Sequence, residues 1–199
     1  MAFEKLFEHS DDLYDAALAE FSAKGYEQAS INAILDGAGM SKGQFYYHFK
    51  NKEGLYFALI EVLIKRKRDF LASVMQPGDF QADIFTIFQI QIRYGLEFAQ
   101  TYPAINQFAE RFVKEKGNPI YQKAIARYNF EDDASMNNLI ELAYQNGDFR
   151  TDLPLSFIKK IIAYLFTHAA ELAGLNSAAD FETNLTYLIE FMKRGLAGG

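Results

Sequence analysis

Apolar residues along the chain recur three and four positions apart, and the stretches they mark are separated by glycine, proline or a capping side chain. Leu13, Ala16, Ala17, Leu18 and Phe21 form a first amphipathic helix that stops at Gly25. Ser30 is placed to cap a short helix carrying Ile31, Ile34 and Leu35, and Gly37 and Gly39 break it in the way a tight inter-helical turn requires. Ser41 then caps another short helix, with Gln44 three residues on completing a capping box. Phe45 and Phe49 share one side of that helix, while Lys42, Gln44 and the run Tyr46-Tyr47-His48 leave polar tips elsewhere. Asn51 caps a long helix through Leu55, Leu59 and Val62 that runs to about Val74, ahead of Pro77-Gly78. The pattern over 30–55 is thus a helix-turn-helix followed by the start of a further helix.

The rest of the chain reads as helices of larger apolar girth. Over 80–101 the polar residues Asp83, Thr86, Gln89, Arg93, Glu97 and Gln100 fall on one narrow stripe, and Gln91 lies almost opposite it among apolar side chains. Pro103 starts a shorter helix with Ile105, Phe108 and Phe112. Asn118-Pro119 opens a long one with Ile125, Tyr128, Met136, Leu139, Ile140, Leu142 and Ala143, which runs to Asn146-Gly147. Residues 154–174 and 178–196 form two hydrophobic helices, and Phe181, Leu185, Leu188 and Met192 repeat at the 4-3-4 spacing of a bundle seam. A single chain has too few elements to cover both on all sides, so a two-fold homodimer is expected. Its candidate interface is Phe157, Ile161 and Leu165 on the first helix and Phe181, Leu185, Leu188 and Met192 on the second.

Composition changes this picture in three places. The chain of 199 residues has no cysteine, which excludes disulfides and thiol chemistry. A net charge of −6 argues against a nucleic-acid partner, but the balance is local: from Gly37 to Lys52 there is no acid, and Lys42, Lys50 and Lys52 lie within that window. Neither a signal peptide nor a membrane-spanning run is expected, so the anticipated location is cytoplasmic. Three scattered histidines make no metal spacing, and no nucleophile elbow, phosphate loop or dinucleotide fingerprint is present. Enzyme activity, a metal and a cofactor are therefore not expected.

The stretch from Leu13 to Leu55 resembles the DNA-binding domain of the TetR (tetracycline-repressor) family of bacterial transcription regulators. The matching residues are Ala16-Ala17, Phe21, Gly25-Tyr26, Ser30-Ile31, Ile34, Ala38 to Gly43, Tyr46, His48-Phe49, Lys52-Glu53 and Leu55. The phrase from Asn146 to Leu153 also resembles the link such regulators use before their penultimate helix. The resemblance implies an all-α protein of about nine helices. Residues 1–50 would be the DNA-binding domain, and residues 51–199 a helical domain that binds a ligand and dimerises.

The resemblance gives Tyr46, Tyr47 and His48 contacts to DNA, has Lys42 touch a guanine or a phosphate, and lets Gly43 admit the backbone closely. From geometry alone, three successive residues cannot all face a core, so at least one phenol is exposed. Gln44 either closes the capping box on Ser41 or reads an adenine edge. Lys52 opposes the helix dipole at the start of its helix, a placement that a docked phosphate would reward, and Ser30 could cap and touch phosphate at once. Asp11 and Asp12 depart from the family, which often carries cations there, so the salt dependence of DNA binding should be shallower. The run Lys65-Arg66-Lys67-Arg68 splays around its helix and reads as a solvated face.

For a small-molecule effector the candidates are Phe88, Gln91, Ile92, Phe108, Phe112, Tyr128, Tyr164 and His168. Gln91 and His168 are polar groups on apolar faces that a ligand, a water or a carbonyl must answer. The abundance of phenylalanine points to an apolar or aromatic effector. The expected function is a ligand-responsive regulator, by family habit a repressor, binding double-stranded operator DNA as a homodimer with no membrane partner. The rival is a small-molecule-binding or enzymatic helical bundle with a vestigial DNA-binding module.

Overall fold

A computed structural model of the protein describes residues 10–128, 134–173 and 178–198. Among these, ten helices have eight residues or more: α1 Ser10–Gln28, α2 Ile31–Ala38, α3 Lys42–Phe49, α4 Lys52–Val74, α5 Ile84–Thr101, α6 Pro103–Lys114, α7 Pro119–Tyr128, α8 Ala134–Asn146, α9 Leu155–Thr167 and α11 Ala178–Leu196. The short α10, Ala169–Ala173, follows α9 directly. The long helix expected from 118 to 147 appears as α7 and α8; residues 129–133, with the acidic run Glu131-Asp132-Asp133, lie outside the described residues. The helix expected over 154–174 breaks at His168, whose backbone (φ −102°, ψ 6°) leaves the α-helical path.

The chain forms two compact units, one of Met1–Ala72 with Phe98–Ala124 and one of Ser73–Glu97 with Ile125–Gly199. Neither divides at residue 50, because α4 continues the first unit and α6 joins it. In the first unit α1 packs on α2 and on α6. Its buried side chains are those the apolar pattern selects: Leu13, Ala17 and Phe21 from α1, Ile34 and Leu35 from α2, Phe45 and Phe49 from α3, and Leu55, Leu59 and Ile60 from α4. Phe21 meets the buried Tyr56 edge to face at 4.9 Å, and Tyr56 meets Phe108 of α6 at 5.4 Å. Aromatic pairs of this kind add about 0.5–1.5 kcal/mol each beyond burial.

In the second unit Phe85 and Phe88 of α5, Ile140 and Ala143 of α8, Ile158 and Ile162 of α9, and Ile189, Met192 and Leu196 of α11 make one core. The link after α8 is tied in by its own residues. Gly147 takes φ 88°, which a side chain would strain, and Phe149 then buries itself against Phe85 at 5.6 Å. Asp148 accepts from the Ile84 amide at 2.8 Å, satisfying a free N–H at the start of α5. Phe149 pairs with Ala197 as an isolated β-bridge, and the Arg150 amide donates to the Leu196 carbonyl at 2.9 Å.

Candidate nucleic-acid interface

The turn between α2 and α3 is built as its sequence dictates. Ser30 caps α2 by accepting from the Ala33 amide at 3.3 Å, and Gly39 closes α2 in the left-handed conformation, φ 63°. Ser41 caps α3: its Oγ accepts from the Gln44 amide at 3.3 Å, while Gln44 Oε1 accepts from the Ser41 amide at 3.0 Å. Both halves of the capping box are therefore present. The Ser41 hydroxyl also donates to Gln44 Oε1 at 2.8 Å. With Oε1 engaged by the cap, the amide nitrogen of Gln44 is what remains for a bidentate adenine contact, which needs both atoms.

Rotation around α3 sorts its eight residues. Phe45 and Phe49 are buried, anchoring the helix, and Ser41, Lys42 and Gly43 are exposed at its start. Tyr46 and Tyr47 keep 54% and 85% of their surface exposed, so both phenols rather than one face outward. Exposure this large on aromatic side chains is informative, because it withholds apolar area that burial would reward. His48 is half-buried, with its ring edge to face against Tyr47 at 5.0 Å. Lys50 ends α3 at φ 61°, a conformation uncommon outside glycine, and is exposed.

Lys52 has partners within the chain. Its ammonium donates to the carbonyls of Glu27 at 3.0 Å and Ala29 at 3.1 Å and lies over the Tyr26 ring at 4.9 Å. Its opposition to the α4 dipole is thus answered by the carbonyls at the end of α1, and its role is to staple α4 to α1. Lys52→Ala should lower stability by roughly 1–3 kcal/mol, the range for hydrogen bonds from a charged donor. Lys42→Ala should leave stability within about 0.5 kcal/mol and reduce the salt slope of binding by a dimer, which loses two lysines, by about 1.8. Thermal melts and a salt series on both variants check this, and the reverse assignment would be refuted by the same data.

A second cluster fastens the end of α1. Gly25 turns the chain at φ 73°, ψ 179°, and a Cβ there would lie 2.1 Å from Glu115 Oε1. Glu115 is buried and accepts from the Tyr26 amide at 2.8 Å and from Asn118 Nδ2 at 3.1 Å. Arg111 of α6 donates to the Lys24 carbonyl at 3.0 Å and stands 3.7 Å from Glu115. Burial and then the Glu115 charge push the Tyr56 phenol up. Glu20 accepts from Lys24 and from the Ser30 amide, each at 2.9 Å, and those bonds hold its carboxyl below the usual range. Nothing in the sequence marked Arg111 or Glu115, and Gly25 was read there only as the stop of the first helix.

The effector candidates are distributed between the units. Phe108 and Phe112 belong to the first, where Phe108 is buried against Tyr56 and Phe112 stacks on Tyr121 at 4.9 Å. Phe88 is buried in the core of the second, facing Phe166 at 5.0 Å, while Gln91, Ile92 and Tyr128 are half-buried. Tyr164 is exposed and stacks on His168 at 4.1 Å. His168 Nδ1 meets the Tyr164 carbonyl at 2.9 Å, so a backbone oxygen answers that ring nitrogen. An open cleft of about 390 Å³ between α1 and α6 is lined by Ala19, Ser22, Ala23, Gln107, Glu110, Arg111 and Lys114, and includes none of these candidates.

The interface candidates divide similarly. Phe157 is exposed, and Ile161, Leu165 and Leu188 are half-buried. Leu185 and Met192 are buried within the subunit itself; the side chain of Phe181 lies outside the described residues. The 4-3-4 seam marked one apolar stripe of α11, but that helix carries a second: Tyr187 and Phe191, four residues apart, are 66% and 68% exposed.

Known proteins resemble the chain in the same order of specificity. The family described as "Bacterial regulatory proteins, tetR family" matches residues 13–59, which span the whole helix-turn-helix and its two anchoring helices. Over residues 13–59 the chain matches the DNA-binding part of the TetR family. Among curated TetR-family relatives, the biofilm operon icaADBC negative transcriptional regulator IcaR of Staphylococcus epidermidis is 25% identical over 159 residues, 74% of this chain and 86% of IcaR. A TetR-family regulator from Chloroflexus aurantiacus superposes with a TM-score of 0.69 at 22% identity, covering 99% of this chain and 97% of that one. CprB of Streptomyces coelicolor, solved with its biological operator sequence, gives 0.63 at 16% identity over 94% and 88% of the two chains. No helix among the described residues is long and apolar enough to cross a membrane.

Proposed function

We propose that the chain is a ligand-responsive transcriptional repressor that binds a pseudo-palindromic operator as a homodimer and leaves it when a small, largely apolar effector binds. The observation that carries this reading is α3: Phe45 and Phe49 lock it down while Lys42, Gly43, Tyr46 and Tyr47 stand outward in an acid-free stretch. A vestigial module has no reason to hold two exposed phenols and a lysine on one anchored helix. IcaR is a negative regulator by name and CprB has been solved on its operator, which supports repression and duplex binding here. The reading has no catalytic step and places the protein in the cytoplasm. Fluorescence anisotropy on duplexes from its own promoter region, across a salt series, tests it; affinity indistinguishable from that for random duplex would refute it.

Dimerisation supplies the second recognition helix, one turn of B-DNA away. The exposed residues Phe157 and Tyr164 on α9 and Tyr187 and Phe191 on α11 are the faces we assign to the partner. Phe191→Glu should give a folded monomer in sedimentation equilibrium and Met192→Glu an unfolded protein, because Met192 is 1% exposed. A dimer surviving in Phe191→Glu would remove α11 from the interface. Effector binding would act by favouring a dimer whose recognition helices no longer match the groove spacing. A shift of α6 would reach α1 through Arg111 and Glu115, which hold Lys24 and Tyr26 by their backbone.

A further inference from the structure

The capping box at the start of α3 decides which base edge Gln44 can read. A backbone N–H only donates, so the Gln44 atom 3.0 Å from the Ser41 nitrogen is its carbonyl oxygen, Oε1. That oxygen has two lone pairs. The Ser41 amide takes one, and the Ser41 hydroxyl, at 2.8 Å, takes the other. The hydroxyl in turn accepts from the Gln44 amide at 3.3 Å. The carbonyl end of the side chain is thereby used up inside the protein.

The nitrogen end is not. Nε2 carries two N–H donors, makes no hydrogen bond among the described residues, and belongs to a side chain that is only half-buried. Lys42, two residues earlier and exposed, likewise offers donors alone. Gly43 between them has no packing reason within the fold, since a Cβ there would meet only Ser41 Oγ, at 4.0 Å. Glycine weakens a helix, so the clearance it leaves beside Gln44 serves a body that approaches from outside.

In the major groove guanine presents two acceptors, N7 and O6, whereas adenine presents the N7 acceptor and the N6 donor. Thymine has one acceptor, O4, and cytosine only the N4 donor. A glutamine reads adenine by accepting from N6 and donating to N7 at once, and here the accepting atom is occupied. We propose that Gln44 selects guanine in each half-site, Nε2 donating to its O6 and N7 while Oε1 stays in the cap. This deepens the operator-binding reading and rests on it. Ser41 is then a positioning residue for base choice, acting through the orientation it imposes on Gln44.

The test is selection from a random duplex library by the full-length protein and by Gln44→Ala, Gln44→Glu and Ser41→Ala, with a melting scan on each. One half-site position should lose its preference in Gln44→Ala. The wild type should hold guanine there, bound roughly tenfold tighter than adenine per half-site and about a hundredfold when both half-sites change. Gln44→Glu should keep the cap, because a carboxylate oxygen accepts from the Ser41 amide as Oε1 does, and its midpoint should not fall. Its outward group becomes an acceptor, so the preference should move to cytosine. Ser41→Ala returns a lone pair to Oε1, and adenine should gain on guanine. Adenine at that position in the wild type overturns the proposal, as does a Gln44→Ala selection identical to wild type. So does a lower midpoint or an absent cytosine preference in Gln44→Glu, or a folded Ser41→Ala that gains nothing for adenine. In each of those cases an inverted repeat still enriched by the wild type leaves operator binding standing. Enrichment of no sequence by the folded wild type sinks the operator reading, and this proposal with it.

Discussion

Gly54→Ala should lose about 3 kcal/mol of stability, a drop in melting midpoint of roughly 6–12 °C. A Cβ at Gly54 would lie 2.3 Å from the Phe49 carbonyl oxygen. That oxygen is backbone at the end of α3, so no rotamer change relieves the clash; α3 and α4 must separate. The ordinary expectation has the opposite sign, because replacing glycine by alanine within a helix gains up to about 1 kcal/mol. The two effects therefore predict melts on either side of wild type, and a calorimetric scan decides between them. A midpoint equal to or above wild type would mean that α3 is not held as closely to α4 as described. Operator affinity should fall with stability, since the Asn51 side chain that accepts the Gly54 amide at 2.8 Å also fixes where α4 begins.

The largest effect on DNA binding is expected from Tyr46→Phe combined with Tyr47→Phe. Each change removes one hydroxyl from a side chain that the fold leaves exposed. A hydrogen bond to a charged phosphate is worth about 1.5–3 kcal/mol and a dimer loses each hydroxyl twice, so each change should weaken operator binding roughly a hundredfold or more and the pair about ten-thousandfold. Stability should stay within about 0.5 kcal/mol, since neither hydroxyl is buried. Unchanged affinity with unchanged stability would remove the phenols from the interface. Tyr56, by contrast, is 1% exposed, and its substitution should act on folding alone.

These two results bear on what could be read from the chain beforehand. The caps at Ser30 and Ser41, the glycine turn, the buried pair Phe45 and Phe49, and the stop of α4 near Val74 all follow from local rules that tertiary packing did not override. Rotation per residue required at least one outward phenol, and the structure exposes both Tyr46 and Tyr47. Three candidates have partners of their own within the chain, because a local pattern fixes which face a residue occupies but not what arrives there. Lys52 found carbonyls of α1. His168 found its own preceding turn. Leu185 and Met192 belong to an apolar stripe that the chain's own core claims, leaving Tyr187 and Phe191 outside. The Arg111–Glu115 grip on Gly25 joins residues some 90 positions apart in sequence, which no periodicity can reveal.

The central claim is that two copies of α3, held at a fixed separation, read a symmetric duplex. Selection from a random duplex library by the full-length protein measures this most directly, because it presupposes no operator. The account predicts enrichment of an inverted repeat whose half-sites are centred about 10–10.5 base pairs apart or a multiple of that, and loss of enrichment when Lys42, Tyr46 and Tyr47 are replaced together. A folded protein that enriches no sequence, or enriches one without two-fold symmetry, would contradict it.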